Sequence, residues 1–220
     1  LDMASKFKNS IISVRDFTAA EIQALLDKSR ALQEAPRPIL AGKTILFAFE
    51  KPSLRTALAT ETAISRLGGT VVHVNAGTFF GASKKDDPFG VREQLKDTAM
   101  CASQWVDAFF CRVFSTETLL SIKRFGTKPV VNALCDKHHP MQAFADFITL
   151  QEAYGREARP SVCFIGDANN VARSLIQCGL MLGYPMRFCS PPTYAFSDAE
   201  VQEFNALAAA GKTTFTVSTQ

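Results

Sequence analysis

Apolar residues recur along the chain with two alternating spacings. Runs that are apolar almost throughout occur at Thr44–Phe49, Thr70–Val74, Ala108–Arg112, Pro129–Asn132 and Ser161–Ile165. Between them, at Thr56–Leu67, Glu93–Gln104, Thr116–Phe125, Met141–Tyr154 and Asn170–Leu182, apolar positions return every three or four residues, the period of a helix with one buried face. An earlier stretch, Thr18–Leu32, sets Ile22, Leu25, Leu26 and Ala31 near one helical face, with Thr18 and Glu21 in capping-box spacing. Strands with no polar alternation are buried on both sides. This rhythm therefore predicts an α/β protein built on parallel sheets covered on both faces.

A polar break, Gly155-Arg156-Glu157-Ala158-Arg159-Pro160, follows the helix that ends near Tyr154. It divides the expected fold into two doubly wound parallel-sheet domains, residues 1–155 and 156–220. The second is expected to be incomplete in this chain. It offers the strand and helix already named, a short strand Met186–Cys189, a helix Ser197–Ala210 and a last strand Thr213–Val217.

Composition narrows the function classes. At 220 residues and 47% hydrophobic the chain can bury a sizeable core, and its net charge of +3 is spread out. A nucleic-acid surface would show a dense basic stripe, so none is expected, whereas a small anionic ligand is compatible. The six cysteines form no CxxC pair and mostly lie in apolar stretches such as Val162-Cys163-Phe164. They read as reduced core residues of an intracellular protein, not as a disulfide frame or a zinc site. No apolar run reaches the roughly 18 residues of a membrane span. The start of the chain lacks a secretory apolar region, and because it begins at Leu1 a trimmed leader stays open.

In parallel sheets, ligands gather at the carboxyl ends of strands, where helix N-termini present amide groups to anions. Four groups of residues fall at such ends. Ser53-Leu54-Arg55-Thr56 supplies hydroxyls, amides and a guanidinium suited to phosphate oxygens, or simply caps a helix. Arg112 closes a strand, where it joins the same anion or makes a surface ion pair. His138-His139-Pro140-Met141-Gln142 opens a helix, with Pro140 at the favoured first position and His139 either functional or merely packed. Gly166-Asp167-Ala168-Asn169-Asn170 lies between strand and helix; without the further glycines of a dinucleotide fingerprint it is no nicotinamide site.

Taken in order, FEKPSLRT, EQLKDTA, an arginine closing a strand, HPMQAFAD and IGDANN resemble the aspartate/ornithine carbamoyltransferase family, and FEKPSLRT and IGDANNVARSL are closer to its ornithine branch. The resemblance runs from about Phe49 to Leu175. It implies transfer of the carbamoyl group of carbamoyl phosphate to the side-chain amine of ornithine, giving citrulline and phosphate. Aspartate as acceptor, or a carbamoyl phosphate-binding homologue without turnover, are the alternatives. Ser53, Leu54, Arg55 and Thr56 would then hold the phosphate, with Arg112 adding a second guanidinium. His139 would address the carbamoyl oxygen, Gln142 its amide and Asn170 the amino-acid substrate. Arg55 and His139 are the expected catalytic pair, stabilising the oxyanion that develops as the amine attacks. No metal or other cofactor is implied. A homotrimer in the cytoplasm or the mitochondrial matrix is.

Three departures qualify the carry-over. Ala57 stands where the family turn continues with a second arginine. The stretch Gly81–Val91 lacks the glutamine or serine-lysine pattern through which a neighbouring subunit completes the site, although Lys84 and Lys85 lie in it. The chain also ends at Gln220, before the expected Asp-x-x-x-Ser-Met-Gly and His-Cys-Leu-Pro elements, so the second-substrate site is expected to be incomplete.

Overall fold

A computed structural model describes residues 10–81 and 94–219. Among them, helices and parallel strands alternate: α1 (Ala19–Glu34), β1 (Thr44–Phe49), α2 (Leu54–Arg66), β2 (Thr70–Val74), α3 (Ala76–Phe80), α4 (Leu95–Ala102), β3 (Ala108–Arg112), α5 (Thr116–Phe125), β4 (Val130–Leu134), α6 (Pro140–Tyr154), β5 (Val162–Ile165), α7 (Asn170–Met181), β6 (Met186–Cys189), α8 (Asp198–Ala210) and β7 (Phe215–Ser218). Short 3-10 turns at Val14–Asp16 and Pro192–Tyr194 complete the order. The strands form two parallel sheets, ordered β2-β1-β3-β4 and β5-β6-β7. The expected α/β class with two parallel sheets is thus the observed one.

The chain groups into two compact units. Of the described residues, 10–12, 32–81 and 94–136 make the first, and 13–31 with 137–219 make the second. Contacts therefore divide the chain after Asp136 and not at the Gly155–Pro160 break. The reason is the packing of α6, whose Phe147 ring lies 4.9 Å from that of Tyr184. Gly179 on α7 permits a close approach, because a Cβ there would run into Met186 Sδ and Phe147 Cζ. The N-terminal part of α1 is fastened to α6 by a reciprocal amide pair between Gln23 and Gln151, and to the segment just after α6 by Arg156, which donates to both carboxylate oxygens of Asp27.

In the first unit β1 and β3 are central, and their side chains alternate between two apolar layers. Leu46, Ala48, Phe109 and Cys111 face one cluster with Phe79, Ala99, Leu119 and Ile122 from the helices. Phe47 and Phe110, 4.8 Å apart, face the other with Ile64 of α2. Covering both faces makes β1 and β3 buried strands whose ends must emerge together. The register aligns Phe49 with Arg112, so both strands terminate at one edge of the sheet. In the second unit Phe188 of β6 meets Phe196 at 4.6 Å, and Phe204 of α8 meets Phe215 of β7 at 5.2 Å.

The cysteine reading needs correction. Cys111, Cys135 and Cys178 are buried, but Cys101 and Cys163 are exposed and Cys189 is half-buried. Cys101 falls on the outward side of α4, whose buried side carries Thr98 and Ala99, and Cys163 alternates outward on β5 with Ile165. All six are free thiols. Among the described residues no helix is long and apolar enough to cross a membrane. Lys84 and Lys85, with most of Gly81–Val91, lie outside the described residues.

Candidate active site

The turn after β1 does not behave as a simple helix cap. Ser53 takes the N-cap position of α2 with extended backbone, yet its side chain makes no capping hydrogen bond, and no acidic residue occupies the first turn. The first-turn amides and the positive end of the helix dipole are therefore left for another acceptor. The Ser53 hydroxyl instead donates to Thr56 Oγ1 at 3.0 Å, which gathers two hydroxyls on one side of the turn. Arg55 and Leu54 are exposed on the same turn, Leu54 with 79% of its surface in solvent.

Arg112 reaches this turn from the end of β3. Its Nη1 donates to Thr56 Oγ1 at 3.5 Å, a long contact, and its buried Nε has no hydrogen-bond partner among the described residues. Burial pulls the guanidinium pKa below its ordinary value, so its charge sits where solvation is poor. Buried donors are nearly always satisfied in folded proteins, and an exception calls for an absent partner. Two hydroxyls, uncapped amides and a cation short of acceptors form a receptor for a small tetrahedral anion.

His139, Gln142 and Asn170 belong to the second unit. His139 takes the N-cap position of α6, with Pro140 next, and its side chain makes no cap hydrogen bond. Its backbone N–H donates to Ser174 Oγ at 2.8 Å, which ties this turn to α7 one helical turn beyond Asn170. Gln142 is exposed and donates to Asp146 Oδ1 at 2.8 Å. Burial lifts the Asp146 carboxyl above its ordinary value, and the bond from Gln142 opposes that shift. Asn170 opens α7, while the cap itself is Asn169, whose Oδ1 accepts from the N–H groups of Val171 and Ala172 at 3.0 Å. The described residues contain no group of three or more His, Cys, Asp or Glu side chains that would hold a metal.

Sequence reasoning placed Asn169 in the Gly166–Asn170 group without a role of its own, and passed over Ser174 and Glu50. Ser174 lies four residues after Asn170, on the same helical face, which is the signal that would have found it. Glu50 directly follows β1 and stands three residues before Ser53, and its Oε2 accepts the Phe114 N–H at 2.6 Å.

Residues 9–152 match the family model for the carbamoyl-P binding domain of aspartate/ornithine carbamoyltransferases. The chain belongs to that family. An ornithine carbamoyltransferase of Vibrio sp. is 38% identical over 177 residues, covering 79% of this chain and 56% of the relative. One from a strain of Prochlorococcus marinus is 36% identical over 208 residues, covering 94% of this chain and 62% of the relative. Among solved structures, the ornithine carbamoyltransferase of Pyrococcus furiosus superposes with a TM-score of 0.84 at 31% identity, covering 97% of this chain and 67% of that one. The anabolic enzyme of Campylobacter jejuni gives 0.85 at 30% identity, with 96% and 68% covered. The chain thus spans just over half of the length of the Vibrio relative. The family model ends just before the close of α6, so it places that helix with the first unit where the contacts place it with the second.

Proposed function

We propose that this carbamoyltransferase chain binds carbamoyl phosphate at the Ser53–Thr56 turn and takes part in transferring its carbamoyl group to the side-chain amine of ornithine. The observation that carries the reading is Arg112, a half-buried guanidinium whose Nε lacks a partner among the described residues and whose Nη1 contacts Thr56. A phosphate group supplies the acceptors that this cation and the uncapped helix start both lack. Arg55 adds a second guanidinium from the first turn. The ornithine acceptor is supported by relatives named as ornithine carbamoyltransferases.

In the reaction the neutral amine forms a C–N bond to the carbonyl carbon, the bond from that carbon to the phosphate oxygen breaks, and the nitrogen loses a proton. The phosphate leaving group can accept that proton. Negative charge grows on the carbonyl oxygen during attack, so fixed donors are the main catalytic need. We assign that role to Arg55 and His139, the carbamoyl amide to Gln142 and the amino-acid substrate to Asn170. This chemistry uses no protein nucleophile. A homotrimer is the assembly we expect. The six free thiols support a reducing compartment, cytoplasm or mitochondrial matrix.

The test is product formation by the protein that carries this chain, offered carbamoyl phosphate with ornithine or with aspartate. Citrulline with ornithine, and no carbamoyl-aspartate with aspartate, is the expected result; carbamoyl-aspartate alone would move the assignment to the other branch.

A further inference from the structure

We infer that Glu50 is a positioning residue that holds Arg112 against the phosphate turn, an inference resting on the anion-site reading above. Among the described residues the Arg112 side chain is loosely held: its contact to Thr56 is 3.5 Å long and its Nε has no hydrogen-bond partner. Its strand is also irregular on one side: the pairing of β3 with β4 shifts register between Cys111 and Arg112 before the Val113 N–H rejoins the Leu134 carbonyl at 3.0 Å. A register shift frees the strand to bend there. The β1 side compensates through one residue. The Glu50 N–H donates to the Arg112 carbonyl at 2.8 Å, and Glu50 Oε2 accepts the Phe114 N–H at 2.6 Å.

Glu50 thereby continues the ladder past the end of β1, using its side chain in place of the backbone carbonyl that a regular strand would offer. Its two contacts, to the Arg112 carbonyl and to the Phe114 N–H, lie on either side of Val113 and hold the chain directly after Arg112. Lys51 and Pro52 are all that separate Glu50 from Ser53, so one residue sets the spacing between the turn and the arginine. The Phe114 side chain is 64% exposed, so this pair of contacts is not an incidental product of core packing.

The experiment titrates inorganic phosphate into the chain and into Glu50→Ala, Glu50→Gln, Arg112→Ala and the Glu50→Ala/Arg112→Ala double variant. Residues that share a network couple, so Glu50→Ala should weaken phosphate about three- to tenfold alone and not further once Arg112 is gone. Glu50→Gln keeps an acceptor oxygen for Phe114 and should bind within about twofold of the unaltered chain. Phosphate bound equally or more tightly by Glu50→Ala, while Arg112→Ala weakens it, overturns the positioning role, as does a Glu50→Ala loss that adds in full to that of Arg112→Ala. If Arg112→Ala itself leaves phosphate affinity unchanged, the anion site falls and this inference with it.

Discussion

Replacing Ser53 by Asp separates a helix cap from an anion cradle, because the two readings predict opposite signs. Aspartate is as good an N-cap residue as serine, and the extended backbone at position 53 suits it. Its charge at the helix N-terminus adds about 0.3–1 kcal/mol of favourable dipole interaction, so stability should hold or rise. An anion accepting from the Ser53 hydroxyl and from Arg112 would lie within about 4 Å of the new carboxylate, where two unit charges at an effective dielectric of 20 repel by about 4 kcal/mol. Partial compensation by Arg55 and Arg112 leaves about half of that, roughly a thirtyfold loss of phosphate affinity. Calorimetric titration reads the affinity and urea unfolding reads the stability. Undiminished phosphate binding by Ser53→Asp would refute the cradle; a large loss of stability would show that Ser53 is held by contacts other than those to Thr56.

Three further outcomes follow from the second unit. Gly179→Ala should lower stability by about 1–3 kcal/mol in urea unfolding, since its methyl must displace Met186 or Phe147. Burial raises the Glu200 carboxyl, but hydrogen bonds from Arg173 and Ser197 outweigh it and leave its pKa below the ordinary 4.5. That stabilisation is present above the ordinary carboxylate pKa and is lost as pH falls through the lowered value. Glu200→Ala should therefore cost about 1–3 kcal/mol near neutral pH and little at the acid end, measured as unfolding midpoints across pH. His139→Ala should depress turnover in the citrulline assay by about 10²–10³ with phosphate affinity nearly unchanged; unchanged turnover with a lower melting point would make it a packing residue.

The strands were legible because both faces of β1 and β3 are buried, so an unbroken apolar run carried the signal. Helix α5 matches its expected bounds of Thr116–Phe125, where Ser115 caps one end and Gly126 closes the other. The short helix Ala76–Phe80 was not legible, because five residues hold too little of a period, and it rests on the Asn75 cap and the burial of Phe79. The exposure of Cys101 and Cys163 was equally hidden, since apolar neighbours in sequence do not say which face of a helix or strand points outward. At the site, spacing marked Ser53, Thr56 and Arg112, but it could not show that Ser53 leaves the helix uncapped, or that Glu50 bonds both the Arg112 carbonyl and the Phe114 N–H. Those facts depend on the register of β1 against β3, which brings together residues distant in sequence.

The central claim is that the Ser53–Thr56 turn and Arg112 form one receptor for the phosphate of carbamoyl phosphate. Calorimetric titration of carbamoyl phosphate, against the unaltered chain and against Arg55→Ala and Arg112→Ala, tests it most directly. Each variant loses a charge-assisted contact, so each should bind about 1.5–3 kcal/mol more weakly, roughly tenfold or more. Equal affinity across all three proteins would contradict the account.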